Sequence, residues 1–308
     1  MSTSRAPEVL ETRVDVRGVD VRVLRAGDAA PLRAGDAAPE AAGNAAPHAP
    51  EGTPGEAVVF IHGNPGSADD WRQLIKAAAP MLPSLSFDMP DFGDTGAPAD
   101  FSNTMPEYAT FVSELLERLA VKLAHLVLHD FGGPIGLLWA AGHVDQLASI
   151  TLIDTGILPG YRWHRLARIW RTPVLGEIMQ ATSTRAAFQG LVNRGEPRGL
   201  PREFLDQMYD HYDRRTRRAV LRLYRSVDDP GSAAGEMSAL FASREIPALV
   251  IWGEHDVYLP SQFALRQREA FPAADVHVLP ASGHWPFVDA PETVERLLVE
   301  LLWARVSS

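Results

Sequence analysis

The sequence predicts an α/β protein with a mostly parallel, doubly wound sheet into which a helical segment is inserted. From residue 57 onward, short apolar runs typical of buried strands alternate with longer segments of helical periodicity. The alternation stops between residues 155 and 245, where the sequence is helical, rich in arginine and without a clear strand. We therefore expect a first part of the core at 1–154, a helical cap at 155–245 and a second part of the core at 246–308.

The first part of the chain contains a hairpin and a repeat. Residues 10–16 and 19–24 alternate polar and apolar side chains, which predicts two antiparallel strands. The motif Arg-Ala-Gly-Asp-Ala-Ala-Pro then occurs at 25–31 and again at 33–39, and a degenerate copy follows. Because this tract of Ala, Pro and Gly has no apolar periodicity, we expect residues 27–56 to form a disordered insertion.

The remaining elements follow from the same two periodicities. The predicted strands are 57–61, 84–88, 125–128, 149–154, 248–252 and 275–279. The predicted helices are 71–79, 105–120, 133–142, 262–270 and 293–304. Ligands bind beyond the carboxyl ends of the strands in sheets of this kind, so the residues that follow each strand are the candidates for chemistry.

Composition narrows the classes of function. The chain has 308 residues, of which 46% are hydrophobic and 22% charged, as in an ordinary globular protein. A net charge of −10 argues against a nucleic-acid partner, and the absence of cysteine excludes disulfides and thiol nucleophiles. No apolar run reaches the roughly 20 residues of a membrane span, and the first residues lack a signal-peptide apolar segment. We therefore expect a cytoplasmic enzyme with no membrane partner; no feature indicates an oligomeric state.

The most informative residue is Asp130, which follows an apolar strand and precedes the Gly132-Gly133 pair. A sharp turn between a strand and a helix presents one side chain to substrate at the edge of a sheet. A carboxylate at such a turn attacks alkyl carbons and forms an ester with the enzyme. The alternative interpretation is a carboxylate that caps the following helix.

Three further segments end strands and can converge on Asp130. The glycine-containing loop around Asn64 can direct backbone amides at an oxyanion, together with the amide of Phe131, although a plain turn is the simpler interpretation. Asp256 and His284 follow the last two strands. A histidine oriented by a carboxylate is a general base for water, so these residues are the predicted acid and base.

At these residues the chain resembles the α/β-hydrolase fold family, in the branch with an Asp nucleophile that contains epoxide hydrolases and haloalkane dehalogenases. The segment His129-Asp130-Phe131-Gly132 resembles the usual His-Asp-Trp-Gly motif of that branch, and residues 88–96 resemble its Asp- and Gly-rich loop. The resemblance covers about residues 9–305 apart from the insertion. It implies the chain order nucleophile, acid and base that Asp130, Asp256 and His284 follow.

The two halves of this branch need different partners. Dehalogenases resembling this chain hold the halide with an Asn, which Asn64 matches, and with an indole, which Phe131 cannot replace because a phenyl ring has no N–H. Trp163 or Trp170 from the cap is a candidate substitute. Epoxide hydrolases need phenols in the cap, and Leu223-Tyr224-Arg225 resembles their second Tyr-Arg motif.

Two assignments stay open from the sequence. The first cap tyrosine has three candidates: Tyr161, Tyr209 and Tyr212. Asp154 is an alternative catalytic acid, because part of the dehalogenase group places its acid after the corresponding strand. The position of Asp256 after a glycine turn favours Asp256.

We therefore expect a cofactor-free hydrolase that acts on a small apolar organic substrate with water, and the favoured reaction opens an epoxide to a diol. The alternative is a haloalkane dehalogenase with the same three residues, and a third hypothesis is a non-catalytic binder of a small ligand. No group of His, Asp and Glu has metal-ligand spacing and no Gly-rich loop precedes a helix as in phosphate sites, so no metal is expected.

Overall fold

The computed structural model describes residues 7–27, 55–232 and 234–307. Its sheet has eight strands: β1 (Leu10–Val16), β2 (Val19–Ala26), β3 (Glu56–Ile61), β4 (Ser84–Phe87), β5 (Leu123–His129), β6 (Leu147–Ile153), β7 (Ala248–Gly253) and β8 (Asp275–Leu279). Their spatial order is β1-β2-β4-β3-β5-β6-β7-β8. The pairs β1–β2 and β2–β4 are antiparallel and all the others are parallel. The predicted mostly parallel sheet is therefore confirmed.

Twelve α-helices lie in the described residues: α1 (Arg72–Ala78), α2 (Met105–Arg118), α3 (Gly132–Gly142), α4 (Arg165–Arg171), α5 (Leu175–Thr182), α6 (Arg185–Val192), α7 (Arg202–Asp210), α8 (Arg214–Arg225), α9 (Ala234–Ala242), α10 (Gln262–Arg266), α11 (Pro286–Asp289) and α12 (Pro291–Val306). Helix α1 packs against α12, and α2 packs against α3. These helices cover the central strands, whose residues are almost all buried, as expected of parallel strands between helical layers.

Helices α4 to α9 follow one another between β6 and β7, and no strand interrupts them in the described residues 154–232 and 234–247. Helix α8 is strongly amphipathic: Val220, Leu223 and Tyr224 are buried, whereas its arginines form the opposite face. No helix in the described residues is long and apolar enough to cross a bilayer.

The predicted insertion at 27–56 lies mostly outside the described residues, which omit 28–54. Its last boundary needs a correction, because Glu56 is the first residue of β3 and pairs with Leu123 of β5. Regular pairing of the β3 backbone extends one residue further toward the amino terminus than the apolar pattern indicates.

The parallel strands converge on one edge of the sheet. The carboxyl ends of β3, β5, β6, β7 and β8 lead directly into the loops that contain Asn64, Asp130, Asp154, Asp256 and His284. Residues that are far apart in sequence are thereby brought to the same edge, where ligands bind in this architecture.

Candidate active site

Asp130 lies at a sharp turn between β5 and α3, with a φ of 46°, in the left-handed region that costs free energy for a residue other than glycine. The turn is held by two hydrogen bonds to its carbonyl, from the Thr155 hydroxyl (2.7 Å) and the Gly133 amide (2.9 Å). A Cβ atom at Gly63 would lie 2.4 Å from the Asp130 Cβ, so only glycine fits beside the turn. The local structure therefore presents the Asp130 carboxylate at the edge of the sheet.

The Asp130 carboxylate has two polar neighbours. The backbone amide of Asn64 donates to the Asp130 Oδ1 at 2.8 Å, and the His284 Nε2 lies 3.5 Å from the Asp130 Oδ2. Burial acts to raise the pKa of Asp130, but the contacts with His284 and Asn64 outweigh burial and lower it below its usual range. Asp130 is therefore ionised at neutral pH, as a nucleophile must be.

His284 is held on its other side by Asp256. The His284 Nδ1–H donates to the Asp256 Oδ2 at 2.7 Å, and the Asp256 Oδ1 accepts the amide hydrogens of Tyr258 (2.7 Å) and Leu259 (2.9 Å). Burial acts to lower the pKa of His284, but the charges of Asp256 and Asp130 raise it well above its usual range. The imidazole is thus aligned between two carboxylates.

Asp154, the alternative acid, is fully buried and adjoins Asp256. Its carboxyl accepts the Gly253 amide hydrogen at 3.0 Å, whereas the Nδ1 of His284 is bonded to Asp256. Burial and the neighbouring Asp256 charge raise the pKa of Asp154 well above its usual range. A protonated Asp154 can donate to Asp256 and thereby support the residue that orients His284.

Asp154, Asp256 and His284 also form the one group of ligand-type side chains, within the described part of the chain, whose atoms lie within 4.8 Å of one another. Their donor atoms are already engaged: His284 bonds to Asp256, and Asp154 accepts a backbone amide. The arrangement is satisfied by hydrogen bonds and does not require an ion.

The loop after β3 is shaped by a buried histidine. The His62 Nδ1–H donates to the Gly63 carbonyl at 2.8 Å, and its Nε2 accepts the Met89 amide hydrogen at 3.0 Å. Asn64 follows, and both polar atoms of its side chain are buried without a hydrogen-bond partner. An unpaired buried amide costs free energy, so a substrate atom that bonded to this side chain would remove that cost. Phe131 lies at the start of α3 with its ring against Tyr224.

Tyr224 of α8 is buried and lines the same cavities as Asp130. Burial, followed by the Asp130 charge, raises its pKa well above the usual range, so the phenol keeps its proton. The side-chain amide of Asn64 faces the Tyr224 hydroxyl and acts to lower its pKa, although no hydrogen bond of normal geometry joins the two groups. Tyr224 therefore lies close to Asp130, and its catalytic role stays a prediction.

The three candidates for the other cap tyrosine differ in position. Tyr161 lines a cavity with Asp130, and its hydroxyl donates to the Tyr258 carbonyl at 3.2 Å. Tyr212 lines a second cavity with Asp130, and its hydroxyl accepts a hydrogen bond from Gln180 at 2.8 Å. Tyr209 lines neither of these two cavities, and its hydroxyl contacts the Ser183 carbonyl.

Two cavities meet at Asp130, and both are also lined by His164, Tyr224 and Tyr258. The larger has a volume of about 220 Å³ and is mostly apolar; among its lining residues are Leu137, Leu138, Ile157, Leu158 and Met237. The smaller has a volume of about 40 Å³ and is lined by Asn64, His284 and Trp285 on the core side. Asp130 therefore faces an apolar chamber and a more polar one.

The predicted indole substitutes behave differently from one another. The Trp163 Nε1–H donates to the Val227 carbonyl at 3.2 Å, so it is not free for a ligand. Trp170 lines the smaller cavity, with its ring 5.0 Å from that of Tyr224. Trp285 lines the same cavity, and its Nε1–H is buried without a partner.

Sequence reasoning missed four residues of the site. Tyr258 and Trp285 adjoin Asp256 and His284 in the sequence, and that proximity was the available signal. His164 caps α4 by accepting the Ala167 amide hydrogen at 3.2 Å, and burial lowers its pKa to about 4. The fourth residue is Glu196, whose Oε1 accepts the His284 amide hydrogen at 2.9 Å. It lies in a cap loop with no distinguishing pattern.

A family model described as alpha/beta hydrolase fold matches residues 56–291, which is most of the chain. The chain therefore belongs to the alpha/beta hydrolase fold family, and it is an enzyme, a hydrolase of that superfamily. The expectation of an enzyme is confirmed over that of a non-catalytic binder.

The individual relatives share only low sequence identity with this chain. A cis-3-alkyl-4-alkyloxetan-2-one decarboxylase of Xanthomonas campestris is 28% identical over 264 residues, which cover 78% of this chain and 86% of the relative. Haloalkane dehalogenase 2 of Mycobacterium bovis is 26% identical over 265 residues, covering 81% and 88%. The structure of an epoxide hydrolase mutant of Vigna radiata has a TM-score of 0.72 at 19% identity and covers 96% of this chain and 98% of its own. That structural likeness shows the shared fold.

Proposed function

We propose that this hydrolase uses Asp130 as a nucleophile to open an apolar epoxide to a diol. One observation carries the proposal: an ionised carboxylate lies at the turn after β5, with the Nε2 of an Asp-bonded histidine 3.5 Å away. A carboxylate in this position attacks a saturated carbon and leaves an ester that the histidine can hydrolyse.

In the first step, a carboxylate oxygen of Asp130 forms a bond to one epoxide carbon, and the bond from that carbon to the ring oxygen breaks. The electron pair passes to the leaving oxygen, which takes the phenolic proton of Tyr224. Burial keeps this phenol protonated until a charge develops beside it. The product of the step is a hydroxyalkyl ester of Asp130.

In the second step, His284 removes a proton from water, which attacks the carbonyl carbon of the ester. Ester formation has removed the Asp130 charge, so the pKa of His284 falls, its proton passes to the Tyr224 phenolate, and the neutral imidazole can act as a base. Backbone amides of Asn64 and Phe131 stabilise the tetrahedral oxyanion, and the loss of one such donor typically costs about 2.7–4 kcal/mol. Collapse breaks the bond between the carbonyl carbon and the alcohol oxygen, and the departing oxygen takes the carboxyl proton. The diol is released, and the Asp130 carboxylate and the protonated His284 are regenerated.

The two cavities suit these steps. The larger apolar chamber accommodates the hydrocarbon part of the substrate, whose burial supplies binding free energy. His284 lines only the smaller chamber of the two, so the attacking water approaches from that side. The substrate body and the water therefore do not compete for space.

Heavy-oxygen water tests the nucleophile. With styrene oxide in a single turnover, the label should enter the Asp130 carboxylate and be absent from the diol, whereas later turnovers should carry it into the product. A peptide mass map without label at Asp130 after turnover would contradict the proposal. His284→Gln should accumulate the ester, visible as a mass increase equal to the substrate.

Haloalkane dehalogenation is the second candidate, and one observation favours it. The Asn64 Nδ2 and the Trp285 Nε1 are buried, unpaired N–H donors of two residues that line the same small chamber, and a departing halide needs such donors. The same three residues would perform the chemistry. Bromide release from a bromoalkane, with no diol from styrene oxide, would favour this candidate over epoxide opening.

The substrate panel should also include a cis-3-alkyl-4-alkyl oxetan-2-one, the compound class in the name of the Xanthomonas relative. Such a ring is a strained oxygen heterocycle like an epoxide, and Asp130 can attack the saturated ring carbon bonded to the ring oxygen. The bond from that carbon to the ring oxygen breaks and leaves a carboxylate; loss of that carboxylate as carbon dioxide, with departure of Asp130, then forms the alkene. Alkene and carbon dioxide, rather than a diol, would identify this reaction.

A further inference from the structure

The backbone that carries His284 is held by a carboxyl from the cap. Glu196 lies in the loop between α6 and α7 and is buried. Its Oε1 accepts the amide hydrogen of His284 at 2.9 Å, whereas its Oε2 is buried and has no hydrogen-bond partner. A buried carboxyl oxygen without a donor is costly, so a proton at this position would be stabilising.

A second carboxyl, from the core, lies beside the first. Asp289 of α11 accepts the amide hydrogen of Gly283 through its Oδ2 at 2.7 Å, and its side chain is within hydrogen-bonding reach of Glu196. Two consecutive backbone amides are therefore each held by one member of a carboxyl pair. A Cβ atom at Gly283 would lie 2.3 Å from the Glu196 Oε2, so the Glu196 carboxyl packs directly on this backbone.

Glu196 is buried and Asp289 is half-buried, so ionisation of both adjoining carboxyls carries an electrostatic cost. Burial and the contact with Asp289 raise the pKa of Glu196 to about 8, and the amide of His284 opposes this rise. Asp289 and His284 face Glu196 from the core, and Tyr258 faces it from the loop after β7. Glu196 therefore keeps its proton at neutral pH, and donation of this proton to Asp289 satisfies the unpaired Oε2 and removes the repulsion.

Building on the proposed function, we propose that Glu196 and Asp289 share one proton and together act as positioning residues for His284. The pair holds the Gly283-His284 backbone so that the imidazole faces the Asp130 ester. It also joins the cap to the loop of the catalytic base. Loss of the pair should therefore slow ester hydrolysis, which needs His284, and should leave ester formation by Asp130 largely unchanged.

Single-turnover experiments with styrene oxide separate these two steps. Glu196→Ala should form the Asp130 ester at the wild-type rate and hydrolyse it about 10- to 100-fold more slowly, because small displacements of a catalytic group are costly. Mass spectrometry of the quenched protein measures both rates. Glu203→Gln, a change at an exposed residue of α7, is the matched control and should behave as wild type.

Glu196→Gln tests the shared proton itself. Its neutral amide can accept from His284 and donate to Asp289 at every pH, as the protonated glutamic acid does. Wild-type ester hydrolysis should therefore slow as the pH rises through about 8, whereas the variant should keep its rate to higher pH. Circular dichroism establishes that each variant is folded; if Glu196→Ala is not, the pH profile of Glu196→Gln decides.

The outcomes distinguish this proposal from the proposed function. If His284→Gln forms no ester with styrene oxide or a bromoalkane, the nucleophilic mechanism itself is wrong. If His284→Gln accumulates ester but Glu196→Ala hydrolyses it at the wild-type rate, only the positioning role fails. If the rate of ester hydrolysis falls at high pH in the same way in Glu196→Gln and in the wild type, the shared proton is wrong.

Discussion

The imidazole of His129 donates its Nε2–H to the backbone carbonyl of His284 across 2.8 Å. The two rings lie 4.7 Å apart, and burial lowers the pKa of His129 to about 3. His129 is therefore a neutral hydrogen-bond donor at neutral pH. The residue before Asp130, the proposed nucleophile, thus holds the backbone of His284, the proposed base.

Replacing His129 with phenylalanine keeps an aromatic ring but leaves the His284 carbonyl unpaired. We expect the free energy of unfolding to fall by about 1–3 kcal/mol, the usual cost of an unsatisfied buried group. Ester hydrolysis should slow more than ester formation. Urea unfolding and single-turnover mass spectrometry measure these effects, and unchanged stability would contradict the importance of this hydrogen bond.

The two neighbouring acids should respond differently to neutralisation. Asp256→Asn replaces the acceptor of the His284 Nδ1–H, and loss of that orientation in comparable triads lowers turnover by about 10⁴-fold. Asp154→Asn keeps a hydrogen-bonding group and makes no direct bond to His284, so its turnover should fall far less. Steady-state kinetics of both variants decide whether Asp256 or Asp154 is the acid. A larger loss of turnover in Asp154→Asn than in Asp256→Asn would reverse the assignment.

Asp154 should also leave a signature in stability. Its pKa is raised in the folded protein, so the folded state binds a proton that the unfolded state releases. Its contribution to the free energy of unfolding therefore falls as the pH rises above the ordinary pKa of an aspartate. Relative to wild type, Asp154→Asn should gain stability between about pH 4 and pH 7, as measured by urea unfolding at a series of pH values.

The charge of Asp130 should control the protonation of His284. Asp130→Asn removes one of the two charges that raise the pKa of the imidazole, so this pKa should fall while the Asp256 contact still supports it. NMR titration of the imidazole nitrogens measures the change. An unchanged pKa of His284 in Asp130→Asn would show that the charge of Asp130 does not influence the imidazole.

A methyl group at Gly63 should disturb the turn beside it, because a Cβ there would lie 2.4 Å from the Asp130 Cβ. Gly63→Ala should lower ester formation strongly, since small displacements of a reacting group are costly. Gly190 is the control: nothing lies within 4 Å of its added Cβ in α6, so Gly190→Ala should stabilise by roughly 0.5–1 kcal/mol. Equal kinetics in the two variants would contradict a tight fit at Gly63.

Much of the fold followed from periodicity. The predicted strands 10–16 and 275–279 have the bounds of β1 and β8, and the other strands differ by a few residues. The meeting of Asp130, Asp256 and His284 also followed, because residues after parallel strands share one edge of the sheet. Local sequence patterns are sufficient to predict the position of a residue when regular secondary structure determines that position.

Other features depended on packing that one chain's pattern does not encode. Glu196 is 88 positions from His284 and reaches it from a cap loop without periodicity. The difference between Asp154 and Asp256 depends on the direction in which the imidazole points. Trp163 and Trp285 have the same indole, but their nitrogens differ in whether a backbone carbonyl is near.

The meeting of a large and a small chamber at Asp130 has a stereochemical consequence. An epoxide ring with two unequal substituents has one sterically favoured orientation, in which the larger substituent occupies the larger chamber. That orientation aligns one of the two ring carbons with the carboxylate, and inversion at the attacked carbon then sets the handedness of the alcohol. The relative sizes of the chambers, rather than any added contact, would make such an enzyme enantioselective.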